Sequence, residues 1–462
     1  MKNLKMQTFD LIVIGAGSGL NISSAAAERG MKVAVVEKGP MGGTCLNRGC
    51  IPSKIIIHSA DVAETIKKSN LFGIKSKISS IDFRKITSRA SNLVDKEAKE
   101  IEEAIIEDKN TTLFKTGAKF IAERTLKVGS ETVKGEKIVI AAGTRPSAPP
   151  IEGLNETNYI TSDEALRLKK QPKTLTIIGG GYIAAELAHF YGALGTKISI
   201  VQRARFLVPN EDEEIAMRFT EIFKRKYSVL TEFNAAKISK KKGKFIVIAE
   251  SKKAKKKIVS DALLVATGRI PNTDILDVKK TNVETDENGF IKTNGYLETT
   301  AKNIWALGDI VGRFLFKHSA NLEAEYVYDN AILNKKAKVD YTAMPHAVFS
   351  SPQIAGVGLR EQDLRQKGIE QGIGHATGKY RFINSGMGIA LQDNEGFVKI
   401  FADRKTKKIL GCHILGSEAS NLIHEVIVAM KAGLTTDSIQ NAVHIHPALS
   451  EAVQRAVNSI EW

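Results

Sequence analysis

Cysteine is scarce in this chain: 462 residues hold only three, Cys45, Cys50 and Cys412. That excludes a small secreted fold stapled by disulfides and points to a reducing compartment, the cytoplasm. No run of about eighteen apolar residues occurs and no signal-peptide pattern, so no membrane span or membrane partner is expected. The leader Met1–Thr8 is polar and is expected to fray. Aromatic residues make up 6% and are not interleaved with the basic ones, which argues against nucleic acid as a partner despite a net charge of +16. Much of that excess lies in two runs, Lys240–Lys244 and Lys252–Lys257. Between them Phe245-Ile246-Val247-Ile248 reads as a strand, so the pattern predicts a hairpin with lysines at its ends and a solvated surface. A basic nucleic-acid-binding protein is the remote alternative. At 43% hydrophobic and 26% charged, the chain has the composition of a soluble protein with material for two to four units.

Two of the cysteines fall in one stretch, Gly42-Gly43-Thr44-Cys45-Leu46-Asn47-Arg48-Gly49-Cys50-Ile51-Pro52-Ser53-Lys54. In a regular helix, residues at i and i+5 have Cα atoms about 8–9 Å apart, whereas a disulfide needs about 4.4–6.8 Å. A bonded pair therefore requires a break in the helix, which Gly49 permits. Pro52 suits a first helical turn, placing a helix start just after the pair. Close thiols in a reducing compartment serve redox or metal chemistry. Cys412 stands alone with no ligand cluster around it, so no metal site is predicted and a redox pair is favoured over two merely buried cysteines.

The chain carries the same supersecondary pattern twice. Strand Phe9–Ile14, the turn Gly15-Ala16-Gly17, helix Ile22–Arg29 and strand Lys32–Val36 form the first copy, ending at Glu37-Lys38. Glu37 lies twenty positions after Gly17, where an acidic residue binds a ribose while the glycine turn admits a pyrophosphate. Leu20 departs from the fingerprint: the third glycine is displaced by one position, to Gly19. Strand Thr174–Ile178, the turn Gly179-Gly180-Gly181-Tyr182-Ile183-Ala184, helix Ala185–Leu194 and strand Lys197–Val201 form the second. Two such units imply two dinucleotides. The second strand ends at Gln202-Arg203-Ala204-Arg205 with no carboxylate, which favours the 2′-phosphate of NADPH; solvent-facing arginines are the plain alternative. Between the units, Ser88–Asp108 reads as an amphipathic helix with Leu93, Val94, Ala98, Ile101 and Ile105 on one face, and Pro146–Pro150 as a linker.

The segment GGTCLNRGCIPSK, the two glycine turns, Ile138–Arg145 with its mirror Ala262–Arg269, Asn303–Asp309 and the C-terminal HIHPALSE together resemble the flavoprotein disulfide reductases, over nearly the whole chain. The resemblance implies an α/β fold: two Rossmann-like dinucleotide-binding domains plus a C-terminal α+β dimerisation domain. Its boundaries would be 1–147 for the first part of the FAD domain, 148–268 for NAD(P), 269–339 for a central part completing the FAD site, and 340–462 for dimerisation. FAD would contact Gly15, Gly17, Glu37, Lys38, Gly43, Thr44, Lys54, Gly117, Ala118, Gly143 and Asp309. NAD(P)(H) would contact Gly179, Gly181, Tyr182, Ile183, Glu186, Gln202, Arg203, Arg205 and Gly268, with Tyr182 covering the nicotinamide pocket. Cys45 and Cys50 would form the redox disulfide, Cys50 nearer the flavin and Cys45 meeting substrate. Lys54 would pair with Glu186, and His446 would be the acid/base, oriented by Glu451. The partner would be a second copy of the chain, with His446 reaching the other subunit's cysteines.

Within the family, HIHPALSE and GCHILGSEASNLI look most like dihydrolipoyl dehydrogenase, implying a small dithiol substrate, dihydrolipoamide, and a lipoyl carrier protein as a possible partner. Asn21-Ile22-Ser23-Ser24 lacks the arginines of glutathione reductase, and the C-terminus lacks the cysteine pair of mercuric reductase. Gln202-Arg203 departs from dihydrolipoyl dehydrogenase and keeps an NADPH-dependent, mycothione reductase-like enzyme as the alternative.

Overall fold

Residues 6–462 are described in a computed structural model. Of the polar leader, residues 1–5 lie outside the described residues, and Gln7 and Thr8 already belong to the first strand.

Each glycine-turn unit opens a parallel sheet of the same order. Strand Gln7–Ile14 pairs in parallel with Val33–Val36 on one side and with Glu131–Ile140 on the other, and Thr111–Phe114 adds beyond Val33–Val36. In the second sheet Thr174–Ile178 lies between Lys197–Gln202 and Ala262–Val265, with Ser228–Thr231 outermost. The central strands read as continuous apolar runs because both faces are covered, one by helices and the other by antiparallel strands, those carrying Phe120 and Leu126 in the first unit and Phe245 and Val247 in the second. The repeat holds at atomic detail. Gly15 has φ +104°, and a Cβ there would lie 2.3 Å from the Ala141 carbonyl. Gly179 has φ +110°, and its Cβ would lie 2.2 Å from the Ala266 carbonyl. Both turns admit only glycine, for the same two reasons.

The displaced third glycine is explained by packing. A Cβ on Gly19 would sit 2.8 Å from Val13 Cγ1 and 3.0 Å from Ala141 Cβ, so Gly19 brings helix Gly19–Glu28 close onto the sheet.

Strand Ile304–Ala306 returns to the first sheet beside Glu131–Ile140. The expected linker begins as a short strand, Thr144–Pro146, paired with Arg269–Pro271. The lysine-rich segment forms a three-stranded antiparallel sheet rather than a lone hairpin. Phe245, Val247 and Ala249 are buried on one face, and the lysines of both runs are exposed.

The long helix is Phe83–Glu107, not Ser88–Asp108. Asp82 caps it, accepting the Lys85 N–H at 2.9 Å. Its buried stripe is Phe83, Thr87, Ala90, Val94 and Ala98, and Leu93 faces outward, 44% exposed. From Pro345 a five-stranded antiparallel sheet forms a core of its own with helices Ala419–Lys431 and Glu451–Asn458. Among the described residues no helix is long and apolar enough to cross a membrane.

Candidate active site

The cysteine segment is two helices meeting at a glycine. Helix Gly43–Arg48 ends at Gly49, with φ −139° and ψ −118°, and helix Cys50–Lys68 begins immediately, taking Pro52 into its first turn. A side chain on Gly49 would come within 2.9 Å of the Thr44 carbonyl. Asn47, fully buried, stitches the segment by donating to the carbonyls of Met41 at 2.7 Å and Gly43 at 2.9 Å. The break brings the two sulfurs together.

Cys45 and Cys50 are in the dithiol form. The Cys45 thiol donates to the Cys50 sulfur, which lowers the Cys50 pKa to about 7 against the opposing effect of burial, with the Lys54 ammonium assisting. That same hydrogen bond, with burial, pushes Cys45 far up. Lys54 Nζ reaches Glu186 at 2.9 and 2.8 Å, and Glu186 also accepts the Phe349 N–H at 3.0 Å. One ion pair thus ties the cysteine helix, the second dinucleotide unit and the C-terminal unit together.

Around the first glycine turn, Glu37 accepts the Ala16 N–H at 3.0 Å and the Gly39 N–H at 2.6 Å and keeps acceptor capacity on both oxygens. Gly43 has φ +66°, and a Cβ there would lie 2.7 Å from Gly17 Cα, so the cysteine helix starts against the turn, followed by exposed Thr44. Lys38 is exposed. Gly117 and Ala118 follow the strand whose Phe114 carbonyl accepts the Glu37 N–H at 3.1 Å. Asp309 accepts from Thr144 Oγ1 at 2.8 Å, with Arg269 3.9 Å away, and burial pushes its pKa up. No atom lies within 4 Å of where a Cβ would stand on Gly117, Gly143, Gly181 or Gly268.

At the second turn Tyr182 is held by its hydroxyl to Glu211 and stacks 6.3 Å from both Phe316 and His346. Ile183 is half-buried. Gln202 is buried and turns its amide back to the Phe206 carbonyl at 3.2 Å, while Arg203 and Arg205 project outward with no acidic partner among the described residues.

A cleft of about 650 Å³ opens beside Cys45, lined chiefly by Leu20, Asn21, Leu46, Ile51, Ile101 and Ile105. Lys317 also lines it and was missed from the sequence, since nothing near it marks a site. Its ammonium donates to Ser18 at 2.9 Å, and burial lowers its pKa against the opposing pull of the cysteines.

The two C-terminal histidines differ. His444 is tucked against Glu425 at 3.0 Å. His446 binds Glu451 through Nδ1 at 3.0 Å and leaves the rest of its ring outside, 77% exposed. Among the described residues His446 makes no hydrogen bond or ion pair with the cysteines of its own chain.

Comparison with known proteins decides the family. Residues 9–327 match the family described as pyridine nucleotide-disulphide oxidoreductase, and residues 344–457 match its dimerisation domain. The chain belongs to the pyridine nucleotide-disulphide oxidoreductases. It is 34% identical to mycothione reductase of Mycobacterium tuberculosis over 466 residues, covering 98% of this chain and 99% of the relative. It is equally 34% identical to dihydrolipoyl dehydrogenase 3 of Haloarcula marismortui over 467 residues, covering 97% and 96%. Among solved structures, the HOCl-induced flavoprotein disulfide reductase RclA from Escherichia coli superimposes with a TM-score of 0.85 at 27% identity, covering 97% of this chain and 99% of that one.

The cofactors of this oxidoreductase are FAD and NAD(P)H. The residues present fit them: both glycine turns end strands of parallel sheets, where dinucleotides bind, and the open positions at Gly143, Gly181 and Gly268 leave room for a ligand's backbone.

Proposed function

We propose that this oxidoreductase exchanges electrons between NAD(P)(H) and a small, weakly charged dithiol/disulfide of the dihydrolipoamide type, acting as a homodimer. The observation that carries the reading is the cleft beside Cys45. Leu20, Leu46, Ile51, Ala104, Ile101 and Ile105 make its walls mainly aliphatic, the charges of Lys317 and Asp108 are of opposite sign, and the first helix offers Asn21 rather than arginines to hold a carboxylate-bearing disulfide. Bound FAD supplies two-electron chemistry between nicotinamide and thiols.

The chain's own residues account for the sulfur chemistry. In the direction of disulfide reduction, the partner subunit's His446 takes the proton of Cys45, and the thiolate attacks one substrate sulfur. The substrate S–S bond breaks, a mixed disulfide forms, and the departing thiolate receives the proton from His446. The Cys50 thiolate then attacks the Cys45 sulfur, closing the Cys45–Cys50 disulfide. The second substrate sulfur leaves and takes a proton from solvent. Two electrons have passed to the substrate; dithiol oxidation is the reverse. Glu451 orients His446, and the Lys54–Glu186 pair holds a cation beside Cys50.

The test compares dihydrolipoamide oxidation with NAD⁺ and NADP⁺ against NADPH-driven reduction of a disulfide panel. Fast reduction of a polar, charged disulfide with no dihydrolipoamide turnover would overturn the substrate reading.

The two exposed arginines favour a second reading, an NADPH-dependent reductase of another low-molecular-weight disulfide. Arg203→Glu is expected to weaken NADPH use relative to NADH by about ten- to a hundredfold in kcat/KM, since a charge-assisted contact is replaced by repulsion. An unchanged ratio would show that the arginines do not read the phosphate.

The thiol pair also predicts a pH signature. Cys50 is deprotonated above its lowered pKa, so ultraviolet thiolate absorbance of the reduced enzyme is expected to rise with pH through a midpoint of about 7. Lys54→Met removes a cation that favours the thiolate, and the midpoint should move up. A midpoint that stays put would discount Lys54 as the cause.

A further inference from the structure

Away from the cysteines, three side chains converge between the second dinucleotide unit and the C-terminal sheet. His346 stands on strand Pro345–Val348 and His413 on strand Ile409–Gly416. The strand between them places Gly356 opposite both, so His346, Gly356 and His413 form one row across the sheet. A Cβ on Gly356 would lie 2.7 Å from His346 Nε2 and 2.8 Å from His413 Nδ1. The missing side chain lets the two imidazoles face one another over the middle strand. Glu211, fully buried, enters from the other unit and lies 2.8 Å from His346 Nε2.

We propose that Glu211, His346 and His413 form a binding site for a late first-row divalent cation of the Zn²⁺ class. Their ligand atoms lie within 4.8 Å of one another. The decisive group is His413. Its Nε2 is 3.0 Å from the Leu359 carbonyl, so that nitrogen carries the proton and Nδ1 keeps a free lone pair. Nδ1 is buried, is aimed at the space beside His346 and finds no hydrogen-bond partner among the described residues. A simple His346–Glu211 hydrogen bond accounts for two members of the group and leaves this third one unexplained.

The donor chemistry selects the ion. Two imidazoles and one carboxylate suit Zn²⁺ and its neighbours, offer too few oxygens for Ca²⁺ or Mg²⁺, and include no soft thiolate. The outer partners fit as well: a ligating imidazole donates its other N–H to a carbonyl, as His413 does to Leu359, and the remaining Glu211 oxygen accepts from Tyr182. A bound ion would clamp the loop that holds Tyr182 to the C-terminal sheet.

The experiment uses the FAD-loaded protein with its cysteine pair oxidised, so that free thiols do not compete for metal. After chelation and dialysis, Zn²⁺ alone is added back, and zinc per chain and thermal stability are measured. One zinc per chain with a raised Tm is expected. His346→Ala should weaken binding by at least about a hundredfold and abolish the Tm shift. Glu211→Gln, which keeps the shape and removes the charge, should do the same, so one variant decides if the other does not fold. Anomalous diffraction at the zinc edge of the zinc-loaded wild type should place the ion between His346, His413 and Glu211, with nitrogen and oxygen ligands and no sulfur; an ion found elsewhere overturns the proposal, so this decides the matter if neither variant folds. Failure of the wild type to bind zinc, retention of wild-type affinity in a folded variant, or a sulfur-ligated ion would overturn the proposal.

Discussion

Serine at either Cys45 or Cys50 is expected to lower disulfide turnover on the order of a thousandfold or more while FAD stays bound. A hydroxyl cannot form the mixed disulfide or close the internal one, so each substitution removes the whole relay. The double variant should therefore be no worse than either single one, as holds for residues that act as a unit. Cys412 offers no bypass. It is fully buried in the C-terminal sheet, and burial pushes its thiol well above the usual range, so it supplies neither access nor thiolate. Steady-state turnover, flavin absorbance and a count of titratable thiols before and after reduction check this together. Wild-type turnover in either variant would make the pair structural.

The second large effect concerns His446. Losing a general acid/base costs about 10²–10⁴ in rate, so His446→Gln homodimers should be nearly inactive, as should those of Cys45→Ser. Because the ring points outward, the reading requires the imidazole to serve the partner's cysteines across a two-fold interface. Refolding the two inactive variants together then restores activity. Random assortment makes about half the dimers mixed, and each mixed dimer has one site carrying both defects and one carrying neither. About a quarter of wild-type activity should return if the sites act independently. Activity that stays at the variant baseline, while mixed dimers are shown to form, would place the site within one chain.

What the sequence made legible was local. The glycine turns and the Gly49 break follow from residue type and spacing, and the structure contains both, while the Lys54–Glu186 ion pair, expected from the resemblance, is also present. The long helix starts earlier than its apolar periodicity indicates because Asp82 caps it before that periodicity becomes regular. Leu93 adjoins Val94 yet faces outward, because only packing decides which of two adjacent apolar residues turns inward. Gln202 stands at the strand end where a cofactor edge is expected, and its side chain fills the space over Gly180, a contact no local pattern announces. Lys317 and the Glu211–His346–His413 group could not be read at all. Their members are scattered along the chain and meet only once the units have docked.

The outward segment around His446 also bears on how long a single chain survives. Val443 and Ile445 flank it, almost wholly exposed, with Val428 and Leu434 likewise open to solvent. An unassembled copy would present these apolar side chains to every collision. Such surface draws chaperones and proteases and promotes aggregation. Newly made chains would therefore face a race between pairing and clearance. The abundance of active enzyme would fall more steeply than its synthesis rate, because pairing depends on the square of chain concentration and clearance only on its first power.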